Sequence, residues 1–222
     1  MADLRKLLET GSTLILGGVF YRVEAFEGKG GSAVVYRASY PDALNVDTRH
    51  IVLIKELFPM NEHGWIYRAE NGRIICMDEG KDLMEISRSR FFMGNQINLE
   101  LLQRLPSGIS GNINSYEAYG TFYSVLSVHG GTNLKQILME EKKEYSLKES
   151  VEVMKKILPA LDAFHRNGLL HLDISPDNIL LLPSQALLID YNSVWDIHDI
   201  DARDFVFSEK QGYSAPEIRL RN

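Results

Sequence analysis

Residues 13–40, TLILGGVFYRVEAFEGKGGSAVVYRASY, limit the fold more than any other stretch. β-branched and aromatic residues alternate with polar ones along it, the period-2 pattern of a half-buried strand. Glycines cluster at 17–18 and 28–31, and the pattern predicts a hairpin whose turn is EGKGGS. The chain therefore opens in antiparallel sheet. HIVLIKELF, residues 50–58, adds a short apolar strand that contains Lys55. WIYRAENGRIICM, residues 65–77, sets Asn71-Gly72 between two apolar arms. That is a strong hairpin signal, because the favoured two-residue turn needs positive φ at both central positions.

The pattern then changes period. From about Lys81 to Leu105, Phe91, Met93 or Gly94, Ile97, Leu101 and Leu105 recur at helical spacing, and Pro106 stops the run. YEAYGTFYSVLSV, residues 116–128, returns to paired strands about Gly120, and GGTNLKQILMEE starts a short helix. The clearest helix is SLKESVEVMKKILPALDAFHRNG, residues 146–168. Ser146 with Glu149 reads as a capping box, and Gly168 closes the far end. Val151, Met154, Ile157, Leu158, Leu161 and Phe164 make its apolar face, and Pro159 bends it. Short strands LLH, NILLL and ALLID follow, joined by polar turns.

With 222 residues, 45% hydrophobic and 24% charged, the chain suits one large domain or two small lobes. A net charge of -6 argues against general nucleic-acid binding. Cys76 is the sole cysteine, so neither an internal disulfide nor a multi-cysteine metal site is available; it reads as a small buried apolar side chain. No secretory signal and no membrane-length apolar run is evident, so a cytoplasmic protein is expected.

Some polar residues have no packing reason to be where they are. HLDISPDNIL, His171–Leu180, puts a histidine, two aspartates and an asparagine between apolar runs. Asp173 and Asn178 are able to point into one cleft, one to accept a hydroxyl proton and the other to offer an amide oxygen to a divalent metal. Asp190 ends the apolar strand ALLID as a second oxygen donor. Lys55 sits inside a strand, where a cation aimed at phosphates is one reading and a head group reaching water is another. Gly28, Gly30 and Gly31 permit close backbone approach to phosphate, or simply make a turn. Taken singly, Asp173 and Asn178 also suit Asx-turns, and Asp190 a strand-end cap.

Together these features resemble a protein kinase catalytic domain. IVLIK stands where that family has V-A-I-K, HLDISPDN where it has H-R-D-L-x-x-x-N, DYN (Asp190–Asn192) in place of D-F-G, and SAPE (Ser214–Glu217) in place of A-P-E. IKELFP followed by a hairpin insertion resembles a bacterial branch. The resemblance implies an α+β, two-lobe kinase fold. A β-rich N-lobe over 1–126 would hold a five-stranded sheet, a hairpin insertion about 64–77 and the main helix about 82–105. A hinge would follow at 127–133, then a partial helical C-lobe over 134–222. The family continues beyond A-P-E, so the resemblance implies missing C-terminal helices and exposed apolar surface below; a chain that continues past residue 222, with further domains as one option, and a naturally reduced lower lobe are both open.

The resemblance also implies ATP and Mg2+ as cofactors and protein Ser/Thr hydroxyls as substrates. Gly28, Gly30 and Gly31 would lie over the phosphates. Lys55 would contact the α- and β-phosphates. Val35, Leu126 and Val128 would line the nucleotide, Asp173 would be the catalytic base, and Asn178 and Asp190 would hold magnesium. Ser193, Ser208 and Ser214 are candidate phosphate acceptors. Departures accompany the match. Ala33 replaces a glycine, and Leu53 replaces a pocket alanine. Asn98 stands where the helix glutamate pairs with the strand lysine, with Glu100 as the other candidate. Leu172 replaces the arginine that docks a phosphorylated loop. Ser175 replaces the catalytic-loop lysine, while Lys210 occupies the threonine position that contacts it, so the lysine reads as moved to the other side of that contact. Asn192 replaces a glycine and is expected to supply the left-handed turn. A scaffolding pseudokinase and, more distantly, a small-molecule kinase of the same fold are the competing functions.

Overall fold

The computed structural model describes residues 3–45, 47–104, 111–198 and 210–216. Pro106, Ser208 and Glu217 lie outside these, as does the expected helix end at Leu105.

A six-stranded antiparallel sheet dominates the first half, in the order β1-β2-β3-β4-β8-β7. The strands are β1 Thr13–Leu16, β2 Val19–Lys29, β3 Ala33–Pro41, β4 Arg49–Leu57, β7 Asn112–Ala118 and β8 Thr121–Ser127. The expected count of five misses a turn. Gly17 and Gly18 both take positive φ, 57° and 82°, so the chain reverses there and Leu16 pairs Val19. The next turn is also tighter than expected: Gly28 and Lys29 still belong to β2, opposite Val35 and Val34.

One face of this sheet is a closed core. Val23, Val34, Tyr36, Ile54 and Tyr123 are fully buried there. Leu7 and Leu8 pack on it from the N-terminal segment. So do Ile66 and Ile74, from the inserted hairpin of β5 (Ile66–Arg68) and β6 (Ile74–Cys76). The hairpin forms at Asn71-Gly72, but not through the expected two-residue turn: its loop spans residues 69–73, with Gly72 N donating to Ala69 O at 3.0 Å and only Gly72 at positive φ, 81°. The insertion also carries a buried ion pair. Arg68 Nη2 lies 2.5 Å from Glu56 Oε2, and the Tyr123 hydroxyl donates to Glu56 Oε1 at 2.7 Å. Burial first, and then the Glu56 charge, push the Tyr123 hydroxyl far above its ordinary range. Burial opposes the Arg68 charge, but the attraction of Glu56 outweighs it and the guanidinium is raised.

Helix α1 runs Lys81–Arg104. The chain divides into two compact units, Met1–Phe92 with Asn112–Val128, and Met93–Gly111 with His129–Asn222. The boundary cuts α1, whereas the expected N-lobe held the whole helix. The reason is packing: Ile97, Leu101 and Leu102 belong to the second unit's core with Ile157, Phe164, Leu188 and Tyr191.

That second core is built around α2, Leu147–Arg166. The capping box is present in both directions: Glu149 N donates to Ser146 Oγ at 3.3 Å and Ser146 N to Glu149 Oε2 at 2.9 Å. The helix runs unbroken through Pro159. Its expected apolar face is split. Ile157, Ala160 and Phe164 are buried, because that side meets β10 (Leu169–Leu170) and β12 (Ala186–Leu188). Leu147, Val151, Met154 and Leu158 are exposed. The expected short helix near residue 136 is a single π-helical stretch, Gln136–Glu140. β9 (Thr132–Asn133), β11 (Ile179–Leu181) and β12 form one small sheet, and β10 pairs β13 (Trp195–Asp196). Among the described residues no helix is long and apolar enough to cross a membrane.

Candidate functional site

In the first unit the candidate residues form a row across the sheet. Gly28 pairs Val35, Val35 pairs Lys55, and Lys55 pairs Ser124; two residues on, Leu53 pairs Leu126. Directly opposed residues on neighbouring strands point to the same side. Val35, Leu53, Lys55 and Leu126 are all half-buried, while the intervening Val34, Ile54 and Glu56 are buried on the core face. The strand alternation thus holds Lys55 on the open face and Glu56 beneath it. Lys55 Nζ lies 6.0 Å from the centre of the Phe91 ring. Val128, at the end of this unit, is 38% exposed.

The glycine-rich turn is tied down by its carbonyls. Gly30 N donates to Ala33 O at 2.9 Å, Phe58 N to Ser32 O at 3.0 Å, and Met60 N to Gly31 O at 2.7 Å. A Cβ added at Gly28, Gly30 or Gly31 would meet nothing within 4 Å, and none of the three has positive φ. Neither packing nor backbone geometry within the chain calls for glycine at these positions. They leave an unobstructed backbone on that edge, which suits close approach by a ligand.

The second unit assembles the polar stretch. β10 leads into it, β11 leads out, and β12 returns beside β11 to end just before Asp190. Asn178 Nδ2 donates to both Asp173 O and Asp173 Oδ2 at 2.8 Å. Ile189 N donates to Asn178 O at 3.0 Å, which ties the backbone before Asp190 to the same asparagine. Asp173, Asn178 and Asp190 therefore share one hydrogen-bonded frame. With its amide NH2 turned to Asp173, Asn178 keeps Oδ1 as an acceptor; this oxygen and the Asp190 carboxylate are hard donors of the kind magnesium takes. Among the described residues no group of three or more His, Cys, Asp or Glu could cage a metal. Magnesium usually needs no such cage, because it is held by one or two carboxylates together with substrate phosphates.

Two residues in the frame are backbone outliers. Leu172 has φ 59° and Asp190 has φ 63°. Such conformations cost about 1–3 kcal/mol each and persist where the surroundings over-determine them, often at functional sites. The left-handed residue of the DYN turn is thus Asp190 and not Asn192, as the sequence suggested. Asn192 N instead donates to Asp190 Oδ1 at 3.3 Å, so the side chain of Asp190 organises the turn. His171, 2% exposed, lies beside the stacked rings of Phe164 and Tyr191, 5.4 and 6.0 Å away. Burial pushes its imidazole down, against the opposing pull of Asp190 and Asp173.

Lys210 closes the frame from the far end of the chain. Its Nζ lies 2.8 Å from Ser175 Oγ, 2.8 Å from Asp177 Oδ2 and 3.6 Å from Asp173 Oδ1. The expected contact between positions 175 and 210 is present, with the lysine on the 210 side. Burial alone would raise the Asp177 carboxyl, but the Lys210 hydrogen bond and charge outweigh it and hold it below the usual range. Of the candidate acceptors, Ser193 and Ser214 are half-buried.

On α1, Asn98 is 2% exposed, whereas Glu100 faces solvent. The helix therefore turns inward Asn98, the residue at the position of the family's helix glutamate, and not Glu100. Gly94 is a site residue that sequence reasoning did not assign. A Cβ there would fall 2.8 Å from Tyr191 O and 2.9 Å from Asn192 Oδ1, so only glycine lets the DYN turn lie against the helix. The available signal was a glycine in mid-helix, which costs about 1 kcal/mol against alanine and so asks for a reason. Cys76 is half-buried, and burial pushes its thiol up, away from nucleophile chemistry.

The frame of Asp173, Asn178 and Asp190 lies within the part of the chain that matches a known family: the profile described as protein kinase domain covers residues 90–222. The chain belongs to the protein kinase domain family. Serine/threonine-protein kinase PknG of Mycobacterium leprae is 34% identical over 97 residues, 43% of this chain and 12% of the relative. Serine/threonine-protein kinase PknD of Mycobacterium tuberculosis is 27% identical over 177 residues, 77% of this chain and 22% of the relative. This kinase-domain chain thus spans a small part of the curated relatives it matches. The solved structure "PpkA-294 apo form" superposes with a TM-score of 0.66 over 84% of this chain and 62% of that one, at 23% identity, which shows the shared fold.

Proposed function

We propose that this kinase domain transfers the γ-phosphoryl group of ATP to serine or threonine hydroxyls of a protein substrate. The observation that carries the reading is the hydrogen-bonded frame: Asn178 bound twice to Asp173 and once, through its carbonyl, to the backbone before Asp190. It sets three oxygen-bearing side chains in fixed mutual order, the requirement of a reaction whose catalysis is mostly positioning and charge stabilisation. Magnesium, when bound, neutralises phosphate charge; Asn178 Oδ1 and the Asp190 carboxylate would hold it. Asp173 orients the acceptor hydroxyl and takes its proton as the oxygen–phosphorus bond forms and ADP leaves. Lys55 positions the α- and β-phosphates. The open backbone at Gly28, Gly30 and Gly31 covers the phosphates, and Val35, Leu126 and Val128 flank the base.

Asp173→Asn keeps the size of the side chain but removes the base. It is expected to lower phosphoryl transfer at least ~100-fold, measured with labelled ATP and a generic Ser/Thr peptide, while MgATP affinity by calorimetry stays within a few-fold. Full transfer by the variant would sink the reading. A second reading, a nucleotide-binding scaffold, is favoured by Leu53 on the open face and by the inward Asn98. Tight MgATP binding by the wild type without any transfer would assign that role instead.

A further inference from the structure

We propose that Lys210 is a catalytic residue: its ammonium, supplied by the 210–214 turn, faces the transferring phosphoryl group. The proposal rests on the phosphoryl-transfer reading above and deepens it. The loop that carries Asp173 has no cation of its own between Asp173 and Asn178. Ser175, two residues after the base, is short, uncharged and 2% exposed. Lys210 fills this place from another segment. Its ammonium lies 2.8 Å from Ser175 Oγ and 2.8 Å from Asp177 Oδ2, and pairs with Asp173 Oδ1 at 3.6 Å, beyond hydrogen-bond distance, so of its three N–H donors one stays uncommitted. Among the described residues it is the only cation paired with Asp173.

The turn that presents Lys210 is closed in both directions. Lys210 N donates to Ser214 Oγ at 2.7 Å, and Ser214 N donates to Lys210 O at 2.9 Å. Asp177, which Lys135 also approaches at 3.6 Å, serves as the anchor. A base that takes the acceptor's proton stands one hydroxyl away from the phosphoryl group under attack. A cation within 3.6 Å of that base is therefore within reach of the oxygens on which charge develops. A lysine suits the task, being a compact point charge on a flexible stem. Because the charge arrives only when the 210–214 turn docks, docking of this segment assembles the site.

Lys210→Gln tests this, because it retains hydrogen bonding to Ser175 and Asp177 while removing the charge. Titration calorimetry with MgATP and MgADP on wild type and variant reads the γ-phosphate contact directly. The expected result is an unchanged MgADP affinity and an ATP-over-ADP preference reduced about tenfold, with kcat for peptide phosphorylation down ~100-fold. A second variant, the exchange Ser175→Lys with Lys210→Thr, returns the cation to the loop and is expected to recover at least about tenfold of the lost kcat. A tether without phosphate contact would leave the ATP-over-ADP preference of Lys210→Gln at the wild-type value, and that result overturns the proposal. If the wild type binds MgATP but transfers nothing, the phosphoryl-transfer reading fails while the affinity ratio still decides the role of Lys210. If neither nucleotide binds, both fall.

Discussion

His171 shows how one side chain links packing to the site. It is held uncharged by burial, within a shell that includes Phe164, Tyr191 and the carboxylates of Asp173 and Asp190. Its folded-state pKa lies below the ordinary value of 6.5. Below that pH the unfolded chain takes up a proton that the folded chain refuses, so stability is full above about pH 6.5 and declines as pH falls. Thermal melts of wild type between pH 7.5 and 5.5 are expected to show this decline, and His171→Gln is expected to flatten it. An equal slope in both proteins would move the cause to another group. The carboxyl of Asp177 behaves in the same direction at lower pH: its Lys210 contact stabilises above the unfolded carboxylate range and is lost as acid protonates it.

Two elements owe their placement to contacts that local propensity opposes. In α1, Gly94 weakens the helix, yet an alanine methyl would press on Tyr191 O at 2.8 Å. Mid-helix Gly→Ala ordinarily stabilises by about 1 kcal/mol; here the sign is expected to reverse, with a lower urea midpoint and reduced transfer activity for Gly94→Ala. A stabilised, fully active variant would show that the turn yields at no cost. In β4, the fully buried Glu56 lies one residue from Lys55 and is satisfied by Arg68 from the inserted hairpin. Arg68 also donates to Lys6 O and Gly72 O at 2.9 Å, so it ties the N-terminal segment, the hairpin and β4 together. Arg68→Met strands a buried carboxylate and is expected to cost about 3–5 kcal/mol in chemical denaturation. The pair Arg68→Met with Glu56→Met is expected to cost clearly less, since no charge is then left unpaired.

At the scale of the whole molecule, nucleotide binding and folding are linked by mass action. Under the proposed function MgATP would bind the folded chain and not the unfolded one, so at a concentration 100 times its Kd it is expected to stabilise by about 2.7 kcal/mol. Excess EDTA is expected to abolish most of this shift, because Asn178 and Asp190 would then lack the ion that joins them to phosphate. A shift indifferent to chelation would remove the metal roles given to these two residues. The exposed side of α2, with Leu147 83% exposed, contributes nothing to the second unit's core. Its stability therefore rests on the opposite side, where Phe164 is fully buried.

The sequence by itself determined the strand-rich first half, the Asn71-Gly72 hairpin and the capped helix after Ser146. These follow from periodicity and turn chemistry, which act within a few residues. It also determined the family, through motif order, and the family resemblance in turn implied the pairing of position 175 with position 210. Tertiary structure decided what depends on distant neighbours. The sixth strand needed Gly17 and Gly18 to be seen as a complete turn. Asp190 took the left-handed backbone assigned to Asn192, because the frame around Asn178 constrains the chain there. Helix α2 buried half of its apolar face, and α1 divided between two cores. Gly94 acquired its purpose only when the turn at Tyr191 came to lie against it. Periodicity says which residues share a face; only packing says what that face meets.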